Sequence, residues 1–265
     1  MPRSPHHPTE QILGIPFFNG TAADAVTTMS DQGGLLVAPS GTCFERFLED
    51  SDYRCAIVSA DVALPDSGAM AVLWTVRTGR ALHRISGLAY VKELLRQVDL
   101  RDVFWVLPHA RAQAQLLAWC AERGAEGNDS IAAAGHSPLP MAPSSCYLAP
   151  IYGQTVRDEK LLTLIATQQP RHVVIAIGAG AQEKLGFYLR EHAGGRPAIH
   201  CIGGALGFVT GDQVAIPDWA DRFYLGWFLR FLSQPRVFLP RLWKARILPF
   251  LIFRHRDRLP PMVGD

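Results

Sequence analysis

Short apolar runs recur along the chain, separated by stretches with helical spacing of apolar positions. Gln11 to Phe18, Gly34 to Pro39, Cys55 to Ser59, Val103 to Leu107, Val173 to Ile177 and Ala198 to Ile202 read as strands. Thr21 to Ser30, Cys43 to Asp50, Met70 to Arg77, Tyr90 to Arg96, Arg111 to Arg123 and Asp158 to Gln168 read as helices, with Thr21 placed as an N-cap. Strands alternating with helices through most of the chain predict an α/β fold: a largely parallel, Rossmann-like sheet with helices on both faces. Val173 to Ile177 is β-branched and almost purely apolar, which suits a strand buried on both sides.

The ends differ from this pattern. Met1 to Glu10 holds three prolines and two histidines and reads as a flexible tail. Residues 11–215 form the α/β domain. Residues 216–265 form a C-terminal helical segment rich in basic and aromatic residues. Gly124 to Ser145 is rich in Gly, Ala, Ser and Pro and reads as a loop.

Pro170 to Arg190 carries the densest candidate chemistry. A buried strand runs into Gly178-Ala179-Gly180, and Gln182 and Glu183 then open a helix whose Leu185, Phe187, Tyr188 and Leu189 face the sheet. A strand, a glycine turn and a helix N-terminus bring free N–H groups and the positive dipole end to one place, a site for an anion. The same pattern also fits a plain strand-to-helix turn. A dinucleotide fingerprint is not complete here, because the third glycine is missing and no acidic residue ends a following strand. A second candidate is the loop from Ala60 to Gly68, where Asp61 and Asp66 lie between apolar elements. They are either ordinary turn residues or, for Asp66, a catalytic carboxylate at the sheet's carboxyl edge. Gly135-His136-Ser137 lacks the second glycine of a nucleophile elbow, which argues against a serine hydrolase.

Composition narrows the classes. The formal net charge is +2, so the whole chain is not an evident nucleic-acid binder. Five cysteines are scattered without a Cys-x-x-Cys pair, which suggests neither a zinc site nor a disulfide framework and fits a reducing cytosol. The histidines show no ligand spacing, so no metal site and no cofactor are expected. No signal-peptide profile opens the chain, and no apolar run reaches the roughly 20 residues of a bilayer span.

The charge is uneven, however. Between Arg222 and Arg258 nine basic residues, among them Arg222, Arg230 and Arg236, face a single acid, Asp257. Phe223, Trp227, Phe228, Trp243, Phe250 and Phe253 are interleaved with them. Basic and aromatic residues mixed on helices suit an anionic bilayer surface. The alternative is a helical pair that packs its aromatics on the sheet and solvates its arginines.

Several of these pieces, in order, resemble one family. Ala60-Asp61 followed by Asp66-Ser67-Gly68 looks like an Ala-Asp-x-x-x-x-Asp-Gly element. Arg84-Ile85-Ser86-Gly87 looks like Arg-x-Ser/Thr-Gly, 18 residues beyond Asp66. Gly178 to Glu183 is a shortened Gly-x-Gly-x-Pro-x-Gln-Glu, and Gly203-Gly204-Ala205 with Phe208 and Gly211 matches Gly-Gly-Ala-x-x-Phe-x-x-Gly. Pro217-Asp218-Trp219, Trp227, Arg230 and Gln234-Pro235-Arg236 follow the family's ending. From about Ile12 to Arg246 the chain thus resembles the TagA/WecG/CpsF glycosyltransferases, glycosyltransferase family 26.

The resemblance implies an inverting enzyme that moves an N-acetylmannosamine-type or related sugar from a UDP-sugar to a polyprenyl-diphosphate-linked sugar, without an obligatory metal. It implies Asp66 as general base, with Arg84 and Gln182 as further catalytic residues. Ser40, Gly178, Gly180, Glu183, Gly203 and Gly204 line the substrate site, and Arg222, Arg230 and Arg236 meet the diphosphate or the membrane. The expected location is the inner face of a bacterial plasma membrane, as a peripheral protein, and a homo-oligomer is compatible with the sequence. The chain also departs from the family: Ala38 and Ser40 replace a Thr and an Asn, Ser67 replaces Gly, Ala89 and Gly207 replace Asp, Gly226 replaces Glu, and Pro108-His109 replaces a glycine-rich turn. These losses imply either a changed substrate or a relative that binds the nucleotide-sugar or lipid-linked glycan without turnover.

Overall fold

The computed structural model describes residues 8–125, 145–211, 243 and 245–263. Its centre is an eight-stranded sheet in the order β1-β2-β4-β3-β8-β7-β5-β6. The strands are β1 (Thr9–Ile12), β2 (Ile15–Phe18), β3 (Gly34–Val37), β4 (Val62–Ala63), β5 (Val103–Leu107), β6 (Cys146–Leu148), β7 (His172–Ile175) and β8 (Ala198–Cys201). All neighbours pair in parallel except β1 with β2. First-half strands lie on one side of the sheet and second-half strands on the other. The seam is the β3–β8 pair, in register from Gly34 with Ala198 to Val37 with Cys201.

The central strands read as apolar runs because both of their faces are covered. Leu35, Val37, Val173, Ile175, Ile199 and Cys201 belong to one buried cluster, while Leu36, Val174 and Ala198 belong to another on the opposite face. The described helices are α1 (Ala22–Gln32), α2 (Phe44–Glu49), α3 (Ser51–Val58), α4 (Gly68–Thr78), α5 (Gly87–Gln97), α6 (Ala110–Ala125), α7 (Glu159–Gln168), α8 (Ala181–His192), α9 (Ala205–Thr210) and α10 (Ile247–His255). They sit on both faces. The first cluster takes side chains from α2, α3, α4, α7, α8 and α10, and the second from α1, α5, α6 and α9. The α/β class and the parallel sheet are as the pattern predicts.

Local chemistry explains the boundaries. Thr21 caps α1: its hydroxyl accepts the Asp24 N–H at 3.2 Å, while Asp24 accepts the Thr21 N–H at 3.0 Å, a reciprocal capping box. Asp158 caps α7 and accepts from Leu161 N–H and from the hydroxyls of Tyr147 and Tyr152.

Three expectations are corrected. Cys55 to Ser59 is not a strand but mostly the last turns of α3. Asp50 accepts the Tyr53 N–H at 2.9 Å and starts that helix, and Tyr53, Ala56 and Ile57 are buried at helical spacing. The strand in this region is the two-residue β4 that follows. Gln11 to Phe18 is a hairpin rather than one strand. Leu13 and Gly14 both have positive φ, 52° and 78°, as a two-residue turn between right-twisted strands requires. Its first strand begins at Thr9, inside the stretch read as a tail.

The C-terminal helix is present, and α10 packs into the same core as the sheet. Leu248, Leu251 and Ile252 are buried. The chain after it runs back along the hairpin, where Leu13 N–H donates to Arg256 O at 2.7 Å and Gly14 N–H to Asp257 O at 2.9 Å. Arg222, Arg230 and Arg236 lie outside the described residues, as does most of the Gly124 to Ser145 loop.

Candidate active site

The predicted site residues follow the carboxyl ends of adjoining strands: Ser40 after β3, Asp66 after β4, Gly178 to Glu183 after β7, and Gly203 and Gly204 after β8. Ligands of open α/β sheets bind at this edge.

Asp61 and Asp66 differ because β4 lies between them. Asp61 precedes the strand and works at the opposite end of the sheet. It accepts the Leu35 N–H at 2.8 Å and a bond from Arg196 at 2.7 Å, with Arg190 at 3.5 Å. It is a structural clamp on the start of β3. Asp66 follows β4 and its side chain is 28% exposed. Asp66 Oδ1 accepts the Gly87 N–H at 3.1 Å, the first amide of α5. Arg84 donates from Nε to the Asp66 carbonyl at 2.9 Å and places Nη2 3.9 Å from Oδ1. Ser86 caps α5 by accepting the Ala89 N–H, which fixes Gly87 as the amide that points at the carboxylate.

Gly87 also touches the second half of the chain. A methyl placed there would lie 3.4 Å from Ala205 Cβ and 3.8 Å from Ile202 O. One placed at Gly203, the next residue, would lie 3.4 Å from Gln182 Nε2. Asp66, Arg84 and Gln182 are therefore linked through the β8 turn along one edge of the sheet rather than scattered over the molecule.

The glycine turn differs from a simple anion cradle. The Gly180 N–H is not free: it donates to Glu183 Oε2 at 2.5 Å. Glu183 is 1% exposed, and its other oxygen accepts from Gln182 Nε2 at 2.9 Å. Burial raises the Glu183 carboxyl above its usual range, while the bonds from Gln182 and Gly180 and the nearby Arg46 charge oppose that rise. Burial and the Glu183 charge also raise the Cys201 thiol, which donates to Gln182 O at 3.1 Å. Gln182 is 3% exposed, and its Oε1 has no hydrogen-bond partner among the described residues. Glu183 and Gln182 thus hold the turn from beneath. Ser40 contributes at the β3 end, where its hydroxyl lies 2.9 Å from Thr42 Oγ1.

Arg46 escaped the sequence reading. Its Nη1 donates to Ala179 O at 2.8 Å, and a methyl at Gly180 would come within 1.8 Å of that nitrogen. Gly180 also has φ +99°, so glycine is required there twice over. This exposed guanidinium lies against the glycine turn and adds a full positive charge where the sequence suggested only free N–H groups and the helix dipole. Only the arginine's place in α2, just beyond the β3 edge, hinted at it. Among the described residues no three His, Cys, Asp or Glu side chains are grouped to hold a metal ion.

The carboxyl edge of this largely parallel α/β sheet therefore presents an anchored carboxylate, two arginines and a glycine turn. The chain belongs to the glycosyl transferase WecG/TagA/CpsF family, which matches residues 10–262. It is 24% identical over 234 residues to an N-acetylglucosaminyldiphosphoundecaprenol N-acetyl-beta-D-mannosaminyltransferase of Bacillus subtilis (strain 168), covering 86% of this chain and 84% of that protein. It is 26% identical over 216 residues to a protein of the same name from Bacillus spizizenii (strain ATCC 23059 / NRRL B-14472 / W23), covering 79% and 76%.

Proposed function

We propose that this protein is an inverting, metal-independent hexosyltransferase. It moves an N-acetylmannosamine-type sugar from a UDP-sugar to a polyprenyl-diphosphate-linked sugar in bacterial cell-surface polysaccharide synthesis. The observation that carries the reading is Asp66, held at the carboxyl edge of the sheet by the Gly87 N–H and flanked by Arg84.

The proposed chemistry is a single displacement. The acceptor hydroxyl oxygen attacks the anomeric carbon as Asp66 takes its proton. The bond from that carbon to the diphosphate oxygen breaks, and the electron pair leaves with UDP. Arg84, and Arg46 on the glycine turn, stabilise the departing charge. Gln182 and the Gly203-Gly204 turn shape the sugar side of the cleft, with Ser40 at its β3 end. Arg222, Arg230 and Arg236 are assigned to the acceptor diphosphate or to anionic headgroups at the inner membrane face. No described helix is long and apolar enough to cross a membrane.

Ala38 and Ser40, in place of the Thr and Asn of the family pattern, favour a second reading, a relative that binds these ligands without turnover. One experiment separates the two: incubation with a panel of UDP-sugars and a lipid-diphosphate N-acetylglucosamine acceptor. UDP release that requires the acceptor supports the transferase. Ligand binding without UDP release from any donor rejects it.

A further inference from the structure

Helix α4 contradicts its position. Met70, Ala71 and Trp74 are buried on one side, yet the outward stripe of Ala69, Val72 and Val76 is also apolar, with Val72 56% and Val76 74% exposed. Thr75, Arg77 and Thr78 are the polar members of this helix, and an apolar stripe left exposed beside a buried face marks an interaction site. Helix α10 has the same character. Leu248, Leu251 and Ile252 face inward while Phe250 and Phe253 face outward, and Trp243 just before it is 66% exposed. The two helices pack side by side, and the Arg77 guanidinium lies 5.9 Å from the Phe253 ring centre. The two exposed stripes therefore adjoin.

We propose that α4 and α10 form one docking face for the surface of an anionic phospholipid bilayer. The rim decides the partner. Arg77 lies over the Phe253 ring, Arg246 stacks on Trp243 at 3.7 Å, and Arg254 follows Phe253 in the last turn of α10, while Arg80 lies over Trp74 and pairs with Glu10 at 3.5 Å. Aliphatic and aromatic tips beside guanidinium groups match acyl chains below phosphate headgroups. A second copy of this chain pairing through the same face would set arginine against arginine.

The face borders the site. Asp66 immediately precedes Ser67, the N-cap of α4. A methyl at Gly41, next to Ser40, would lie 3.1 Å from Ser67 Oγ, 3.5 Å from Leu248 Cδ2 and 3.9 Å from Ala245 Cβ. Docking through α4 sets the Asp66 loop at headgroup depth, where a lipid-borne acceptor presents its sugar. Charge and aromatic patterning alone assign no such role to α4 and confine membrane contact to residues 216–265. This assignment rests on the proposed reaction for its purpose, but lipid binding is measured without it.

The test uses the full chain and sedimentation with phosphatidylcholine vesicles, with and without phosphatidylglycerol. Wild type is expected to bind the anionic vesicles. V72E/V76E and the milder V72S/V76S change only exposed positions, and each is checked for an unchanged melting temperature. The charged pair is expected to weaken anionic-vesicle binding by about tenfold or more, and the serine pair by less. Transfer to a water-soluble short-chain acceptor stays at the wild-type rate. Vesicle binding untouched in V72E/V76E overturns the proposal, as does loss of self-association in ultracentrifugation with vesicle binding intact. Valine-dependent vesicle binding in a protein that never transfers sugar supports the face and rejects the reaction.

Discussion

Arg84 binds Asp66 through the backbone: its Nε donates to the Asp66 carbonyl at 2.9 Å, while Nη2 stands 3.9 Å from the carboxylate. One guanidinium thus fixes the loop that carries the carboxylate and remains beside the carboxylate itself. Loop position and local charge both depend on it. Arg84→Lys keeps the charge and loses the planar fork. It is expected to lower kcat at least about tenfold with a smaller change in KM, since a misplaced base harms the transition state more than binding. Steady-state kinetics of UDP release check this, and an unchanged kcat contradicts it.

Gly180 and Arg46 occupy one space. Gly180→Ala must displace the Arg46 guanidinium and strain a backbone at φ +99°. The expected result is a higher donor KM. Arg46→Ala is expected to raise donor KM as well, while R46A/G180A is less than additive because both changes break one contact. A donor titration of the three variants measures the coupling, and strict additivity counts against it.

Asp61 and Asp66 separate stability from activity. Asp61→Ala leaves the buried Leu35 N–H without its acceptor, at a cost of about 1–3 kcal/mol. Urea unfolding is expected to show that loss, with near-normal transfer per folded molecule.

A buried chain of rings predicts acid lability. Tyr90 OH lies 2.8 Å from His200 Nδ1, and His200 Nε2 lies 3.1 Å from His172 Nδ1. Burial lowers both imidazoles, His172 from 6.5 to about 4 and His200 well below its usual value. The unfolded chain therefore takes up protons near pH 6.5, where the folded chain does not. Stability is level above that pH and falls as pH drops from about 6.5 towards 4. Denaturant midpoints at pH 7.5 and 5 measure the slope, and His200→Gln is expected to reduce it. An equal slope in that variant assigns the effect elsewhere.

The sheet was legible because its strands carry their own signal. Val173 to Ile177 is apolar on both faces, and the structure covers both. Cys55 to Ser59 misled because a short apolar run fits a strand or a buried helical turn equally well, and the deciding contact is the Asp50 cap beyond its start. The order Asp66, Arg84, Gln182 was legible as motif. That Asp61 is a clamp depends on Arg190 and Arg196, more than a hundred residues away in sequence, and no local pattern reports such a contact. Arg46 was missed for the same reason. The glycine turn was recognised, but the return of Glu183 onto Gly180 N–H changed its chemistry from an open cradle to a braced one.

The most direct measurement is transfer by Asp66→Asn, which keeps the shape of the side chain and an oxygen for the Gly87 N–H. With folding and donor binding unchanged, UDP release is predicted to fall about 10²–10⁴-fold. Release at the wild-type rate contradicts the assignment of Asp66 as the base.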